Sequence, residues 1–254
     1  AALLCAALTL PAKAARRRVP VQADAIPVSA AAYVEQGVTY VSLRALLNAL
    51  GSWQVWWDGE AGQAAAISGS ASLRADPAGN VIRVNGIALS GRVTVESGVT
   101  YVPLRLVCEA LGCKVEWDPY LGGAAVTSPG AAYDAVELYW LSRIIYAESG
   151  AESMAGQIAV GNVILNRVES SRFPNTVEGV IFDRKDAVQF EPVSNGQIYK
   201  TPSAQSVEAA RRVLNGENVI GSALYFYAPA LSQGVWINAS CTYQQTIGCH
   251  RFYL

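Results

Sequence analysis

The chain is 254 residues long, 52% hydrophobic and carries a formal net charge of −1, which is ample for one large core or two ordinary ones and far from the composition of a disordered chain. No long basic run offers the positive footprint that nucleic acid requires, so DNA and RNA are not expected partners. No apolar run approaches the ~20 residues of a bilayer-spanning helix, so stable membrane insertion is not expected either.

The chain opens with AALLCAALTLPAKAA, an apolar run ending in the small-x-small triplet Ala12-Lys13-Ala14. Residues 1–14 read as a signal peptide without its charged start, which predicts an exported, extracytoplasmic protein. Cys5 follows the bulky Leu4 and is a poor lipidation site, while Arg16 to Arg18 read as a solvated start to the mature chain. Four further cysteines are Cys108, Cys113, Cys241 and Cys249. A zinc site would want CxxC-like spacing with histidines nearby, and His250 is the single histidine, so neither a metal nor another cofactor is expected. Export would permit a Cys241–Cys249 disulfide, although spacing alone does not bring their Cβ atoms together.

Two segments repeat. GVTYVSLRALLNALGSWQVWWD at 37–58 matches GVTYVPLRLVCEALGCKVEWD at 98–118 with one extra residue near the tryptophan, and Ile26 and Ile87 set an offset of 61 (87 − 26). The copies, about 26–68 and 87–129, lie within a domain over 20–128. Each predicts a ββαβ-type unit: a strand, a turn at Gln36-Gly37 or Ser97-Gly98, a short strand, a helix stopping at Gly51 or Gly112, and an alternating strand. Cys108 stands where the first copy has Leu47, which marks it as a small buried hydrophobe; Cys113 faces Ser52. The motif YVPLR followed by EALGCKVEWD resembles the stalk-type repeat of the copper amine oxidase N-terminal-like family. No cluster of histidines for copper accompanies it, and the module reads equally as a wall-binding or spacer unit and as a folding unit without a ligand. SPGAAY at 128–133 reads as a linker.

From Asp134 the period becomes helical. Asp134 is a plausible N-cap for a helix to about Ala147, a second and nearly all-apolar helix runs from about Ser153 to Val168, Pro174 opens a short one, and Ser203 caps one ending at Asn215-Gly216. The remaining aromatic segment, 222–254, reads as irregular. Asn162, Asn166 and Arg167 on the buried helix must satisfy their polar groups internally, either by tying helix to loop or by contacting substrate. Glu148 closes an apolar Ile-Ile-Tyr-Ala run at a helix C-terminus, where the backbone dipole favours cations, so burial is the better explanation. Burial raises a carboxyl pKa toward that of a general acid.

YAESGAES, AGQIAVGNVILNRV, FPNTVEGVIF, Gln189-Phe190, SALYFYAP and IGCHRFY, in this order, are similar to the SleB-type cell wall hydrolase family, which includes spore cortex-lytic enzymes. The resemblance covers 134–254. It implies a lysozyme-like fold acting on peptidoglycan glycan strands at the cell wall or spore envelope. The resemblance further implies cleavage of the β-1,4 link between N-acetylmuramic acid and N-acetylglucosamine by a lytic transglycosylase route, with Glu148 as the acid. The overall expectation is thus an α+β protein, with an N-terminal duplicated module on antiparallel sheet and a mainly helical C-terminal domain. The family usually reads Glu-x-x-Gly-Glu, whereas this chain has Ala151 at that glycine; a positive φ there would strain it.

Ordinary glycosidases place two carboxylates on opposite flanks of the sugar. Glu148 and Glu152, four residues apart, would share one face if helical, and their geometry is open if Gly150 breaks the helix. Glu148 is therefore expected to act alone, with Glu152 as a cap or hydrogen-bond partner of the following helix. Gln189, Phe190, Tyr225, Phe226 and Trp236 are candidates for the groove, although aromatics are equally core-forming. His250 pairs with a groove residue or is structural, and no GxSxG accompanies it. A non-catalytic wall-binding or structural envelope protein is the alternative function. Cleavage of the stem-peptide amide lacks the zinc ligands or cysteine–histidine pair that such chemistry wants.

Overall fold

A computed structural model describes residues 15–30, 32–185 and 188–254. The signal-peptide reading of 1–14, with Cys5, lies outside the described residues. Strands β1 (Arg17–Val19), β2 (Val21–Ala23) and β3 (Ile26–Pro27) precede the hairpin β4 (Ala32–Glu35)–β5 (Val38–Ser42), helix α1 (Leu43–Leu50) and the hairpin β6 (Gln54–Asp58)–β7 (Gln63–Ser68). After β8 (Ala71–Asp76) the order recurs: β9 (Val81–Val84), β10 (Ile87–Ser90), β11 (Thr94–Glu96), β12 (Val99–Pro103), α2 (Leu104–Ala110), β13 (Lys114–Asp118) and β14 (Gly123–Thr127).

The repeated turn explains the repeated hairpin. Gln36-Gly37 and Ser97-Gly98 have φ of 51° and 77°, and of 49° and 78°. Two left-handed residues match the twist of the flanking strands, and glycine takes the second at no steric cost. Leu43, Leu46 and Leu47 of α1 are buried, as are Leu104, Val107 and Cys108 at the matching places of α2. Cys108 is therefore packing, as its alignment with Leu47 suggests. Cys113 is buried as well, and its thiol hydrogen-bonds that of Cys108.

The copies interlock. A sheet ordered β1-β4-β5-β12-β11 joins them at the antiparallel pair β5–β12, with Val41 opposite Val102. The hairpin after each helix joins the other copy's leading hairpin: β14 runs parallel to β2, while β7 reaches β9 through β8. One core spanning Val19 to Val126 results. The exchange also builds two corresponding grooves. The first, about 410 Å³, lies between Leu43, Arg44, Val55, Trp56 and Trp57 of one copy and Val95, Val99 and Thr100 of the other. The second, about 340 Å³, sets Leu104, Arg105, Val115, Glu116 and Trp117 against Val38 and Thr39.

The C-terminal half comprises α3 (Ala135–Ser149), α4 (Met154–Glu169), α5 (Val177–Ile181), α6 (Glu191–Asn195), a 3-10 turn (Gln197–Tyr199), α7 (Ala204–Leu214), β15 (Tyr225–Tyr227), α8 (Val235–Ser240), β16 (Tyr243–Ile247) and β17 (His250–Tyr253). Caps set the starts of the long helices: Asp134 accepts from Val136 N at 2.8 Å, Ser153 from Gly156 N at 3.3 Å and Ser203 from Ser206 N at 3.1 Å. Helix α4 is buried on nearly every side and packs against α3 and α7. The 222–254 segment is not irregular: it forms the antiparallel sheet β15-β17-β16. Strands of three to five residues, with a bulge between Tyr243 and Gln245, are too short for their period of two to stand out in sequence. The whole is α+β.

The halves meet at the end of the second copy. Trp140 Nε1 donates to Asp118 Oδ2 at 2.7 Å, both residues buried, while Asp118 Oδ1 accepts from the backbone N–H groups of Tyr120 and Leu121. Tyr120 stacks on Phe182 at 4.1 Å and Lys114 pairs with Asp134 at 2.8 Å.

Candidate active site

Helix α3 ends at Ser149, and its last turn brings Glu148 to a cleft of about 500 Å³. Tyr146 to Glu152 form one wall; Gln197 and Lys200 come from the 3-10 turn region, Ala228 and Leu231 from the loop after β15, and Cys249 and His250 from the β16–β17 turn. The sequence leads to the buried side of this wall directly. Leu138, Leu141, Ile144 and Ile145 sink α3 into the core, and the apolar stripe carries the chain to Glu148 half-buried.

Among the described residues the Glu148 carboxylate has no hydrogen bond or ion pair. Burial, with a smaller contribution from the charge on Glu191, pushes its pKa up to about 7. Such a group is protonated often enough at neutral pH to donate, and ionised often enough to accept a proton back.

The junction that holds Glu148 is rigid for reasons sequence does not display. Gly150 is in the right-handed region, and its lack of a side chain matters for space, since a β-carbon would crowd the Tyr146 carbonyl and ring. Ala151 has no positive φ, so an alanine there carries no backbone strain. Gln157, buried in α4, donates to Glu152 O at 3.1 Å and Gly150 O at 3.4 Å, and accepts from Ser206 Oγ of α7 at 2.8 Å. Gln205 donates to Glu152 O at 3.0 Å.

Glu152 does not cap α4; Ser153 does. Its carboxylate turns to the far end of the chain, where Oε1 accepts from Cys249 Sγ at 2.8 Å and Oε2 from Cys249 N at 3.4 Å. Cys249 Sγ lies 3.8 Å from His250 Nδ1. Cys249 and Cys241 are both free thiols, so the disulfide that export would permit is not formed. The Glu152 hydrogen bond raises the Cys249 thiol above its ordinary pKa, and burial lowers that of His250.

Of the residues singled out in sequence, Glu148, Glu152 and His250 line the cleft together, and the others do not. Asn166 Nδ2 donates to Gly221 O and Ala223 O, both at 2.8 Å, tying α4 to the loop before β15. Gln189 accepts from Arg167 Nη1 at 3.2 Å. Arg167 also donates to Leu224 O and lies over the rings of Phe173, Phe190 and Tyr225; burial lowers its pKa to about 10. Phe190 is core, and Phe226 sets the edge of the His250 ring at 5.3 Å. Tyr225 accepts from Arg172 and meets the exposed Trp236 edge-on at 5.4 Å. Sequence reasoning missed Tyr146, Gln157, Gln197, Lys200 and Cys249. A place two residues before Glu148 was the available signal for Tyr146 and adjacency to His250 that for Cys249; the other three carry none.

Residues 151–253 match the cell wall hydrolase family profile, and residues 21–127 match the copper amine oxidase N-terminal domain. Glu148 lies just ahead of the first match. A spore cortex-lytic enzyme of Bacillus cereus is 41% identical over 105 residues, covering 41% of this chain and 39% of that protein. The spore cortex-lytic enzyme of Bacillus subtilis is 36% identical over 113 residues, 44% of this chain and 36% of its own length. The chain thus spans well under half the length of these curated relatives. A solved structure, the catalytic domain of the germination-specific lytic transglycosylase SleB from Bacillus anthracis, is 38% identical, covers 50% of this chain and 99% of its own, and has a TM-score of 0.45. This chain therefore joins a copper amine oxidase N-terminal domain to a domain of the cell wall hydrolase family.

Proposed function

We propose that this protein is an exported enzyme that cleaves the β-1,4 bond between N-acetylmuramic acid and N-acetylglucosamine in peptidoglycan, in the cell wall or spore cortex, as a lytic transglycosylase. The observation that carries the reading is Glu148, half-buried in an open cleft, unpaired, with its pKa raised to about 7. Glu148 donates its proton to the glycosidic oxygen as the bond breaks. The resulting carboxylate then takes the proton of the muramic C6 hydroxyl, whose oxygen closes onto the anomeric carbon and forms the anhydro ring without water.

The engagement of Glu152 by Cys249 supports a single acid, because the second cleft carboxylate is committed to hydrogen bonds at the β16–β17 turn. Cleavage of a stem-peptide amide by Cys249 is disfavoured: a nucleophilic cysteine has a lowered pKa, and the bond to Glu152 raises this one. Digestion of purified cortex and of vegetative peptidoglycan, followed by mass spectrometry, tests the proposal. Anhydromuramic ends are expected; reducing muramic ends would make it a hydrolase, and free peptides would make it an amidase.

The second reading, wall binding without catalysis, is favoured for the N-terminal module by the first groove. Exposed Trp56 and Trp57 line it with apolar surface suited to pyranose rings, and exposed Arg44, without a side-chain partner among the described residues, suits carboxylates of the wall polymer. The matching groove keeps one exposed tryptophan, Trp117, and differs in its other residues. Glu116 replaces Trp56, and Arg105 is held by Glu109 and the Val115 carbonyl. We take the module as the wall anchor of the enzyme. A folded chain that sediments with peptidoglycan and releases nothing would leave binding as the whole function.

A further inference from the structure

Glu152, Cys249 and His250 each offer one ligand atom, and these atoms all lie within 4.8 Å of one another. They come from opposite ends of the C-terminal half, and three features of the fold bring them together. Gln157 and Gln205 hold the Glu152 backbone in place. The β16–β17 turn presents Cys249 and His250 on the same side, although adjacent strand residues ordinarily face apart. Gly248, at φ 58°, leaves the space that the carboxylate enters; a β-carbon there would overlap it.

We infer that Glu152, Cys249 and His250 form a binding site for a borderline-soft divalent cation of the Zn²⁺ class, beside the Glu148 cleft.

The donor set selects the metal. Thiolate, imidazole and carboxylate together suit Zn²⁺, whereas Ca²⁺ and Mg²⁺ require oxygen ligands. The spacing fits: tetrahedral zinc with ordinary Zn–S and Zn–N bonds separates the two atoms by about 3.6 Å, and Cys249 Sγ is 3.8 Å from His250 Nδ1. The shorter Glu152–Cys249 contact of 2.8 Å is a thiol hydrogen bond. On binding, Cys249 releases that proton to solvent, Sγ and the carboxylate oxygen separate around the cation, and the two negative ligands neutralise its charge. Three protein ligands leave a fourth position for water, open to the cleft. The inference stands independently of whether Glu148 cleaves glycan, because its test reads binding.

The full chain, stripped of metal with a chelator, is titrated with Zn²⁺ against a chromophoric chelator and with Co²⁺ as a spectroscopic substitute. One equivalent is expected, with thiolate-to-cobalt absorption in the near ultraviolet and a Tm that rises with Zn²⁺. Cys249→Ser, on an exposed turn, removes the absorption and weakens Zn²⁺ binding at least ~10-fold, while Cys241→Ser leaves both unchanged. Glu152→Gln gives the same loss of affinity through a different ligand. Ca²⁺ and Mg²⁺ do not compete. Absence of stoichiometric Zn²⁺ binding, undiminished affinity in Cys249→Ser, or an absorption band that disappears in Cys241→Ser instead would each overturn the site and leave the trio as a hydrogen-bonded clasp.

Discussion

The two halves of the chain treat polar groups in opposite ways. In the N-terminal half the buried polar residues are Gln22, Glu35, Ser42 and Asp118, each engaged in a strand, cap or seam contact, and the duplicated core is otherwise apolar. The C-terminal half buries Ser142, Arg143, Ser149, Gln157, Asn162, Arg167, Ser206 and His250; three of these bond carbonyls of their own helix, while Gln157, Asn162 and Arg167 tie α4 to the α3–α4 turn and to the loops at Glu217 and Leu224. A polar group in a core is costly unless paired, so a core that carries many is holding something in place. Gln157, backed by Ser206, holds the turn that follows Glu148, and Asn162 and Arg167 hold the loops that lead to β15. Duplication makes a scaffold from repeated local rules; the single-copy half ties its central helix to distant loops by buried hydrogen bonds.

The largest expected break in this contrast is Glu148→Gln. Release of fragments from peptidoglycan falls ~10²–10⁴-fold, with the N-terminal half and its wall binding unaffected; a variant retaining a tenth of the activity would remove Glu148 from the mechanism. The same substitution bears on stability. With its folded pKa raised, Glu148 stabilises the fold below its unfolded value near 4.5, and that contribution is lost as pH rises through about 7. Glu148→Gln should therefore stabilise by about 1–3 kcal/mol at pH 8 and have little effect at pH 4, as read from thermal melts at both. For the wild type, activity declines above pH about 7 as the acid ionises.

The seam between halves sharpens the contrast next. Asp118 and Asp58 occupy the same place in the two copies, but Asp118 bonds the buried Trp140 while Asp58 bonds exposed Arg74. Asp118→Ala should destabilise by about 1–3 kcal/mol, leaving the indole N–H unsatisfied, and Asp58→Ala, at a solvent-screened pair, by clearly less; equal losses in urea titration would show that the seam is not special. Smaller still, Trp57→Ala with Arg44→Ala should weaken sedimentation with insoluble peptidoglycan by about 5- to 30-fold, at about 1–2 kcal/mol, and Trp117→Ala with Arg105→Ala should weaken it less. Glu191→Gln should move the basic limb of the activity profile downward by less than a pH unit, because Glu191 is the lesser cause of the Glu148 shift.

Much of the scaffold was legible because its signals are local. The Gln36-Gly37 and Ser97-Gly98 turns, the i, i+3, i+4 leucines of α1 and the caps Asp134, Ser153 and Ser203 act within a few residues, and pattern reading reaches that far. The three-stranded sheet at 225–253 was lost because its strands are short and one is bulged. Asn166, Gln189 and Phe190 stand in motifs beside the site residues, yet the fold gives Asn166 a loop to tie, Gln189 an arginine to hold and Phe190 a place in the core.

By itself, the sequence determined the duplication, the α+β order, and a carboxylate placed against its helix dipole at the end of an apolar run. Tertiary structure alone decided that β14 crosses back to β2 and that Gln157 anchors the α3–α4 turn. It also decided that Glu152 leaves its own helix to meet Cys249 and His250, 97 residues on in the case of Cys249. These contacts depend on which distant groups share a desolvated space, and no spacing along the chain encodes that distance.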